Sequence, residues 1–259
     1  MWQNDLAGPE DDPAVAAVAR LVDDAARVTV LTGAGISTDS GIPDFRGPQG
    51  IWTKNPEAER QSTLANYVAD AEVRRAVWRS RLDHRALSAE PNAGHRALVR
   101  LEQRSKLVAL ITQNVDGLHQ LAGVRADKVV EVHGTIREVA CLTCDYRDDI
   151  AVAFDRVRRG DDDPACPECG GILKSATISF GQSLVQRDLL RAQLAAENCD
   201  VMLAVGTTLA VWPVAAVVPA AVEAGAEVVI VNAEPTEMDH LARYVLRHPI
   251  SRTLPLLVG

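Results

Sequence analysis

Short apolar runs that alternate with helical patterns are the feature that most restricts the fold of this 259-residue chain. Five runs rich in β-branched residues read as buried strands: 28–32, 107–112, 129–133, 201–206 and 227–232. Apolar residues at helical spacing follow Pro13 and occupy 95–103, 186–198 and 214–225. Strands separated by helices pair in parallel through right-handed crossovers. The sequence therefore predicts an α/β fold with a doubly wound parallel sheet.

Charge and hydropathy exclude some classes of function. The chain has 27 Lys and Arg against 35 Asp and Glu, a net charge of −8. Non-specific binding to nucleic acid needs surplus cations, so no direct nucleic-acid partner is expected. No apolar run approaches the roughly 20 residues that span a bilayer, and the first thirty residues lack a signal-peptide pattern. We expect no membrane partner and a cytoplasmic location, with residues 1–12 as a flexible tail.

Four of the five cysteines form two C-x2-C pairs, Cys141 with Cys144 and Cys166 with Cys169, with 21 residues between the pairs. Two such pairs match a tetrahedral zinc site whose closed shell is structural. The alternative, two redox-active disulfides, is less favoured because neither pair opens a helix after a strand. The metal is expected to hold a polar stretch without an apolar core of its own. Cys199 is expected to be a core or strand-edge thiol.

A glycine-rich turn follows the first predicted strand, in the segment LTGAGISTDSGIPDFRG at 31–47. Gly33 and Gly35 at a helix start would let backbone N–H groups approach an anion that a β-carbon would obstruct. The pattern lacks the third glycine of the usual dinucleotide fingerprint. A tight turn without a ligand is therefore an equally open interpretation.

Polar side chains also follow the other predicted strands, at the edge of the sheet where α/β proteins bind ligands. Gln113, Asn114 and Asp116 offer groups suited to a carboxamide and ribose hydroxyls, although the same residues make turns and helix caps. Two further sets, Thr207 with Thr208 and Asn232 with Glu234, offer groups for a phosphate, a ribose or an adenine edge, but taken separately they are more typical of ordinary turns.

His133 precedes a glycine at a strand end, and its ordinary pKa near 6.5 suits proton transfer at neutral pH. A packed or capping histidine is the alternative. That structural interpretation is applied to the other five histidines, His84, His95, His119, His240 and His248.

The order of these motifs, GAGIS, GIPDFRG, TQNVDGLH, HG, two C-x2-C pairs, FG, GTTL and VN, resembles the sirtuin family of NAD-dependent protein deacylases. The resemblance covers about residues 13–259. It implies a Rossmann-like NAD-binding domain, a small zinc-binding domain and a helical insertion. The implied boundaries are 13–45, 95–137 and 176–259 for the NAD-binding domain, 46–94 for the cofactor loop and helical insertion, and 138–175 for the zinc module.

The resemblance also implies roles for residues that match its motifs. His133 would act as general base on a ribose hydroxyl, with Asn114 and Asp116 as catalytic partners, giving nicotinamide and O-acyl-ADP-ribose. The expected NAD contacts are Gly33, Ala34, Gly35, Ile36, Asp44, Phe45, Arg46, Gln113, Asn114, Asp116, Gly206, Thr207, Thr208, Asn232 and Glu234. The expected contacts with an acyl-lysine peptide are Ile178, Phe180, Gly181, Ala210 and Val211.

The chain departs from the family pattern at four positions. Lys174 and Ser175 stand where the family has Arg-Pro, Gln182 replaces an acidic residue, and Thr208 replaces a serine. These changes affect the expected preference for a peptide sequence more than the expected deacylation reaction.

Two further segments bear on the charge and length of the acyl group, and together they do not fix its length. Trp78 and Arg81 stand near the places of a Tyr-x-x-Arg pair typical of negatively charged acyl groups, so succinyl-lysine is disfavoured. The segment GPQGIWT at 47–53 is similar to a branch with long-chain deacylases and ADP-ribosyltransferases. The alternative functions are mono-ADP-ribosyl transfer or NAD hydrolysis in the same pocket, and a non-catalytic NAD-sensing module.

Overall fold

The computed structural model describes residues 8–44 and 63–259. Six strands form one parallel sheet. In spatial order they are β3 (Val129–Glu131), β2 (Leu107–Thr112), β1 (Val28–Thr32), β7 (Val201–Val205), β8 (Glu227–Val231) and β9 (Tyr244–Leu246). The chain winds outwards in both directions from β1 and β7. The strand order reverses between these two strands, and α/β sheets bind ligands at such a point, in the crevice at the carboxyl ends of the strands.

Ten α-helices occur in the described residues. They are α1 (Pro13–Asp24), α2 (Leu64–Ala69), α3 (Ala71–Leu82), α4 (Arg85–Ser88), α5 (Ala93–Gln103), α6 (Leu118–Ala122), α7 (Ile150–Arg158), α8 (Gln186–Glu197), α9 (Val217–Glu223) and α10 (Ile250–Val258). One apolar core joins one face of the parallel sheet to α1, α5 and α10. A second core joins the other face to α8 and α9. The predicted doubly wound sheet is confirmed.

Local sequence explains where several of these helices begin. The Asp12 side chain accepts a hydrogen bond from the Ala14 N–H group, and Pro13 occupies the first turn of α1, where its missing N–H costs nothing. Helix α9 begins only at Val217, after a 3-10 turn at Val214–Ala216. Pro219 therefore falls in its first turn, where a proline is tolerated, although it lies inside the predicted helix 214–225.

Two elements at the end of the chain were not predicted. Strand β9 has only three residues, too few to show a pattern, and α10 contains Pro255, a residue that argues against a helix in the sequence. The predicted strand 129–133 is also shorter than expected and ends at Glu131. His133 therefore lies in the turn that leads to the next strand rather than within a strand.

A smaller antiparallel sheet contains β5 (Arg147–Asp149), β4 (Gly134–Cys141) and β6 (Leu173–Thr177), in that order. The prediction that the stretch around the cysteines lacks a core is wrong. Its buried apolar residues form one cluster: Trp78, Val139, Ile150, Ala153, Phe154, Val157, Cys166 and Leu173. The apolar face of α7 and Trp78 from α3 contribute to this core, whereas the sequence alone placed Trp78 only near an acyl-selectivity position.

The domain boundaries drawn from the sequence stay a prediction. The small sheet begins at Gly134 and ends at Thr177, slightly outside the expected module 138–175. The described part of the expected insertion contains α2, α3 and α4. In the two described ranges, no helix combines the length and the apolar character needed to cross a bilayer.

Replacing Trp78 by alanine should destabilise the small sheet. Trp78 is 1% exposed, and its ring meets Phe154 edge-on with centroids 6.4 Å apart. Deleting a buried tryptophan leaves a cavity, so we expect the free energy of unfolding to fall by about 3–5 kcal/mol in urea denaturation. Trp212→Ala is the control, because Trp212 is 61% exposed and its loss should change stability by about 0.5 kcal/mol or less. Equal losses in both variants would contradict the packing described for Trp78.

Candidate active site and metal centre

The loops after β1 and β7 form the floor of the crevice by direct backbone contact. The Gly33 N–H group donates to the Val205 carbonyl at 3.0 Å, and the Gly35 N–H group donates to the Gly206 carbonyl at 2.9 Å. A β-carbon on Gly33 would lie 2.7 Å from the Gly206 oxygen, and one on Gly35 would lie 2.7 Å from the Gly206 Cα. Side chains at these positions would push the two loops apart.

The reason for these glycines differs from the one inferred from the sequence. Gly33 has φ −127°, which any residue adopts, so its backbone conformation needs no glycine. Gly206 does have a positive φ of 63°, and a β-carbon there would lie 2.5 Å from the Ile36 nitrogen. The glycines are required first for packing of one loop on the other. The helix that follows is a 3-10 helix, Ala34–Ser40.

Asn114 and Asp116 are buried in this crevice and are joined through Ser37. The Asn114 side chain donates to the Gly33 carbonyl at 3.1 Å and to Ser37 Oγ at 3.2 Å. Ser37 Oγ in turn donates to Asp116 Oδ2 at 2.8 Å. The other Asp116 oxygen accepts from the Leu118 N–H group at 2.9 Å, which is the turn contact considered in the sequence interpretation.

Gln113 connects β2 to the loop after β7. Its side-chain amide donates to Thr207 Oγ1 at 2.9 Å, and the same hydroxyl oxygen accepts from the Leu209 N–H group at 3.2 Å. The main chain of Gln113 also reaches His133, since its carbonyl bonds to His133 Nδ1 at 2.9 Å. Residues from three separate turns are therefore linked by hydrogen bonds around one crevice.

The bond to Gln113 decides the protonation pattern of His133. A carbonyl oxygen only accepts, so Nδ1 carries the hydrogen and, in the neutral ring, Nε2 has the lone pair. Burial lowers the pKa of His133 below 6.5, and the hydrogen bond to the Gln113 carbonyl partly opposes that shift. At neutral pH the imidazole is neutral and Nε2 can accept a proton.

Two further histidines lie beneath the crevice, and the sequence interpretation did not assign them to the site. His119 Nε2 bonds to Thr32 Oγ1 at 3.0 Å, and His95 Nε2 is 3.5 Å from Ser37 Oγ. Their rings lie 5.0 Å apart, and burial lowers the pKa of both. The neutral His95 imidazole thus packs against Ser37, and the neutral His119 imidazole contacts Thr32 and the His95 ring. The sequence did contain a signal for His95, which stands three residues after the N-cap residue Asn92 and so matches the spacing of a capping box. In the structure, the Asn92 N–H group donates to His95 Nδ1.

The other expected NAD contacts are spread along the same edge. Asn232 follows β8, and its side-chain amide donates to the Glu234 carbonyl at 2.8 Å, while the Glu234 residue itself is exposed. Thr208 is exposed beside the buried Thr207. Asp44 is half-buried at the end of a described range, whereas Phe45 and Arg46 lie outside the described residues.

The expected peptide contacts lie on two separate segments. The Ile178 N–H group donates to the His133 carbonyl at 2.8 Å, which places the end of β6 beside the histidine. Phe180 is 41% exposed, and its carbonyl accepts from the Leu64 N–H group. Gly181 has φ +80°, a turn conformation that suits glycine. On the second segment, Ala210 is exposed and Val211 is half-buried.

The four paired cysteines meet in one cluster with all Sγ atoms within 4.8 Å of one another. The Sγ atoms of Cys141 and Cys169 are 3.6 Å apart, and those of Cys144 and Cys166 are also 3.6 Å apart. Zinc–sulfur bonds of about 2.3 Å in a tetrahedron place sulfurs about 3.8 Å apart, so this donor set fits zinc. The Thr143 and Gly171 N–H groups donate to two of the sulfurs, as expected for thiolate ligands.

The alternative of two disulfides within the C-x2-C pairs is not supported, because all four paired cysteines are free thiols in the structure. Cys199 is not part of the cluster. It is 5% exposed, and its thiol donates to the Ala196 carbonyl at 3.2 Å, as expected for a core thiol.

The sequence model of the Sir2 family matches residues 33–213, which include the crevice and all four zinc-binding cysteines. The chain belongs to the Sir2 family. Sir2 proteins are the sirtuins, so this match confirms the sirtuin resemblance inferred from the motifs.

Other Sir2 proteins match nearly the full chain. The NAD-dependent protein deacetylase 2 of Streptomyces coelicolor is 52% identical over 231 residues, covering 89% of this chain and 96% of its own length. The NAD-dependent protein deacetylase of Rhodopseudomonas palustris is 41% identical, covering 91% of this chain and 92% of its own.

Solved Sir2 structures superpose on this one. A Sir2 variant with a deacetylated p53 peptide and 3′-O-acetyl ADP ribose has a TM-score of 0.84 at 30% identity, covering 94% of this chain and 96% of its own. A second Sir2 enzyme structure has a TM-score of 0.83 at 35% identity, covering 95% and 96%. The predicted Rossmann-like fold with a zinc-binding cysteine cluster is confirmed.

Replacing Cys141 by serine should remove the zinc site of this Sir2 protein. A missing thiolate weakens a closed four-sulfur shell, and metal binding contributes directly to the stability of such a module. We expect bound zinc, measured by atomic emission, to fall from about one ion per chain to near zero, with a lower melting temperature. Cys199→Ser is the matched control and should keep its zinc. Full zinc content in the Cys141 variant would show that the metal is held elsewhere.

Proposed function

We propose that this Sir2 protein is an NAD-dependent protein-lysine deacetylase that releases nicotinamide and O-acyl-ADP-ribose. The observation that carries the proposal is the hydrogen bond from His133 Nδ1 to the Gln113 carbonyl, which leaves Nε2 to accept a proton at the sheet edge where Asn114 and Asp116 are buried. The relatives from Streptomyces coelicolor and Rhodopseudomonas palustris are both named NAD-dependent protein deacetylases. The sequence-based prediction of this enzyme class agrees with both names.

The residues around the crevice suit NAD. The Asn114 amide uses its N–H groups on Gly33 and Ser37, so its carbonyl oxygen is the group left to accept from the nicotinamide carboxamide. Gln113 and Asp116 would hold the neighbouring ribose, and Thr207, Thr208 and Asn232 the phosphates and the second ribose. NAD supplies a ribose carbon from which nicotinamide is a good leaving group.

The acyl-lysine peptide is proposed to lie between Phe180–Gly181 on one side and Ala210–Val211 on the other. Extended peptides commonly bind as an added strand between two such segments. The exposed Phe180 would shield the acyl group from water, which would otherwise compete for the ribose carbon. Ile178, bonded to the main chain of His133, would place the acyl amide near the imidazole.

His133 is proposed to act as the general base. Its Nδ1–H group is held by the Gln113 carbonyl, which fixes the ring and leaves Nε2 to take a proton from a ribose hydroxyl. Asp116 contributes through its bond from Ser37, which keeps the carboxylate oriented in the buried crevice. The neutral histidines beneath Ser37 add no positive charge that would weaken this arrangement.

The acyl group is proposed to be uncharged. Trp78 is buried against Phe154 in the core of the small sheet, so its ring cannot line an acyl pocket as the tyrosine of a Tyr-x-x-Arg pair would. This supports the interpretation that succinyl-lysine is disfavoured. The segment 47–53, which bears on chain length, lies outside the described residues.

The alternative functions have less support. Mono-ADP-ribosyl transfer or NAD hydrolysis would use the same crevice, but none of the relatives or structures described above is named for either reaction. A non-catalytic NAD-sensing module would not need an oriented, proton-accepting His133. A cytoplasmic location is also proposed, from the sequence alone.

Replacing His133 by alanine should abolish deacetylation while NAD still binds. Loss of a general base typically slows a reaction about 10²–10⁴-fold, so we expect that loss in release of free lysine peptide and O-acetyl-ADP-ribose, followed by mass spectrometry. NAD binding measured by calorimetry should change little. His240→Ala is the control, because His240 is exposed and outside the crevice. Nicotinamide release at equal rates with and without acetyl-peptide would favour NAD hydrolysis instead.

The pH dependence of kcat/KM should report the lowered pKa of His133. The base is active when neutral, and burial lowers its pKa from 6.5. We therefore expect kcat/KM for acetyl-peptide to be constant near neutral pH and to fall only as the pH drops below 6.5, when the imidazole becomes protonated. An acid limb with a midpoint above pH 7 would be inconsistent with this assignment.

A further inference from the structure

Lys174 is a buried cation that the proposed reaction does not use. It is only 5% exposed, and lysine is almost never fully buried unless it is paired. Among the described residues its ammonium bonds to no carboxylate; it donates to the Ser175 carbonyl at 3.1 Å and to the Thr177 carbonyl. Burial, together with the nearby charge of Arg81, lowers its pKa to about 8, so the ammonium form still predominates at neutral pH.

The two carbonyls that Lys174 binds belong to an irregular part of the small sheet. Strand β4 pairs with β6 at Val139–Ser175 and again at Gly134–Thr177. Between these pairs β4 has four residues, 135–138, and β6 has one, so the regular ladder of hydrogen bonds is broken. The Lys174 ammonium binds the carbonyls of Ser175 and Thr177, the two β6 residues on either side of this break.

The irregular segment is in contact with both parts of the proposed active site. From the β4 side, the Ile136 N–H group donates to the Val115 carbonyl at 2.9 Å, and Arg137 Nε donates to the Asp116 carbonyl at 2.7 Å. From the β6 side, the Ile178 N–H group donates to the His133 carbonyl at 2.8 Å. The strands also touch closely here, since a β-carbon on Gly134 would lie 2.0 Å from the Ala176 oxygen.

We propose that Lys174 is a positioning residue for deacetylation: by holding the Ser175 and Thr177 carbonyls, it fixes the irregular β4–β6 segment against which His133 and Asp116 are set. The inference rests on the proposed function. It assigns to Lys174 an effect on the position of the general base, transmitted through backbone, and no contact with substrate. A merely structural role would lower stability without a selective effect on the chemical step.

The chain contains a matched control for this inference. Lys106 also donates to two backbone carbonyls, those of Asp23 at 2.7 Å and Ala25 at 2.6 Å, but it lies at the beginning of β2, before Leu107. Its side-chain chemistry is that of Lys174, and its bonds involve no residue of the crevice. Removing the Lys106 ammonium shows the effect of losing lysine–carbonyl bonds far from the crevice. Removing the Lys174 ammonium shows the effect of losing such bonds in the β4–β6 segment.

The test compares Lys174→Met and Lys106→Met with the wild-type chain. The measurements are zinc content, melting temperature, kcat with acetyl-peptide, and the KM for NAD. Lys174→Met is expected to lower kcat about tenfold or more while the KM for NAD changes about twofold or less, since a hydrogen bond from a charged group is lost beside the base. Lys106→Met is expected to keep kcat within about twofold of the wild-type value, even if its melting temperature falls as far as that of Lys174→Met.

Hydrogen exchange gives a readout that does not depend on turnover. Lys174→Met is expected to speed amide exchange in 133–137 and 175–178, and Lys106→Met to leave those segments unchanged. If Lys174→Met does not fold, Lys174→Gln takes its place; its shorter, uncharged amide reaches at most one of the two carbonyls, and the same loss of kcat is expected.

The possible outcomes distinguish the two proposals. A folded Lys174 variant with wild-type kcat, or one that loses no more activity than Lys106→Met, would overturn the positioning role while leaving the deacetylase proposal intact. A wild-type chain that binds zinc and NAD but turns over no acetyl-peptide would overturn the proposed function. In that case the positioning role for deacetylation is also wrong, and faster exchange in the Lys174 variant would assign the ammonium to fold stability alone.

Discussion

The backbone contact between the loop after β1 and the loop after β7 is the constraint on which the rest of the site depends. Gly33 and Gly35 come so close to Gly206 that no side chain fits between them. This contact brings the ends of two central strands together, and the Asn114 amide then bonds to the Gly33 carbonyl. The crevice is therefore formed by main chain first, and the polar side chains are added to a floor that is already fixed.

A second property of the site is that Asn114, Ser37 and Asp116 bond to one another and to backbone groups, and no cationic side chain among the described residues bonds to the Asp116 carboxylate. The histidines below Ser37 are neutral because burial disfavours their protonated forms. Asp116 accepts from a hydroxyl and a backbone N–H group rather than from a lysine or arginine side chain. A carboxylate held by neutral donors keeps its negative charge available to a cationic ligand, and oxidised NAD carries a positively charged nicotinamide ring.

Much of the fold and the set of candidate residues could be predicted because their signals are local. Buried strands are apolar runs, and a tetrahedral zinc site shows as two C-x2-C pairs; both were read directly. Contacts between distant parts of the chain could not be predicted in this way. The core of the small sheet takes Trp78 from a helix far away in sequence, and Lys174 acts on a bulge that exists only after β4 and β6 pair. Short elements such as β9 gave too little pattern.

The contact between the two glycine loops also bears on the order in which the protein becomes functional during synthesis. The first loop contains Gly33, whereas the second contains Gly206. A ribosome has therefore added most of the chain before the far wall of the crevice emerges. Until then the strand ends carrying Asn114 and His133 have no enclosed space between them. Dinucleotide capture therefore requires the chain beyond Gly206, whereas the last of the four metal-binding cysteines, Cys169, precedes that glycine by 37 residues.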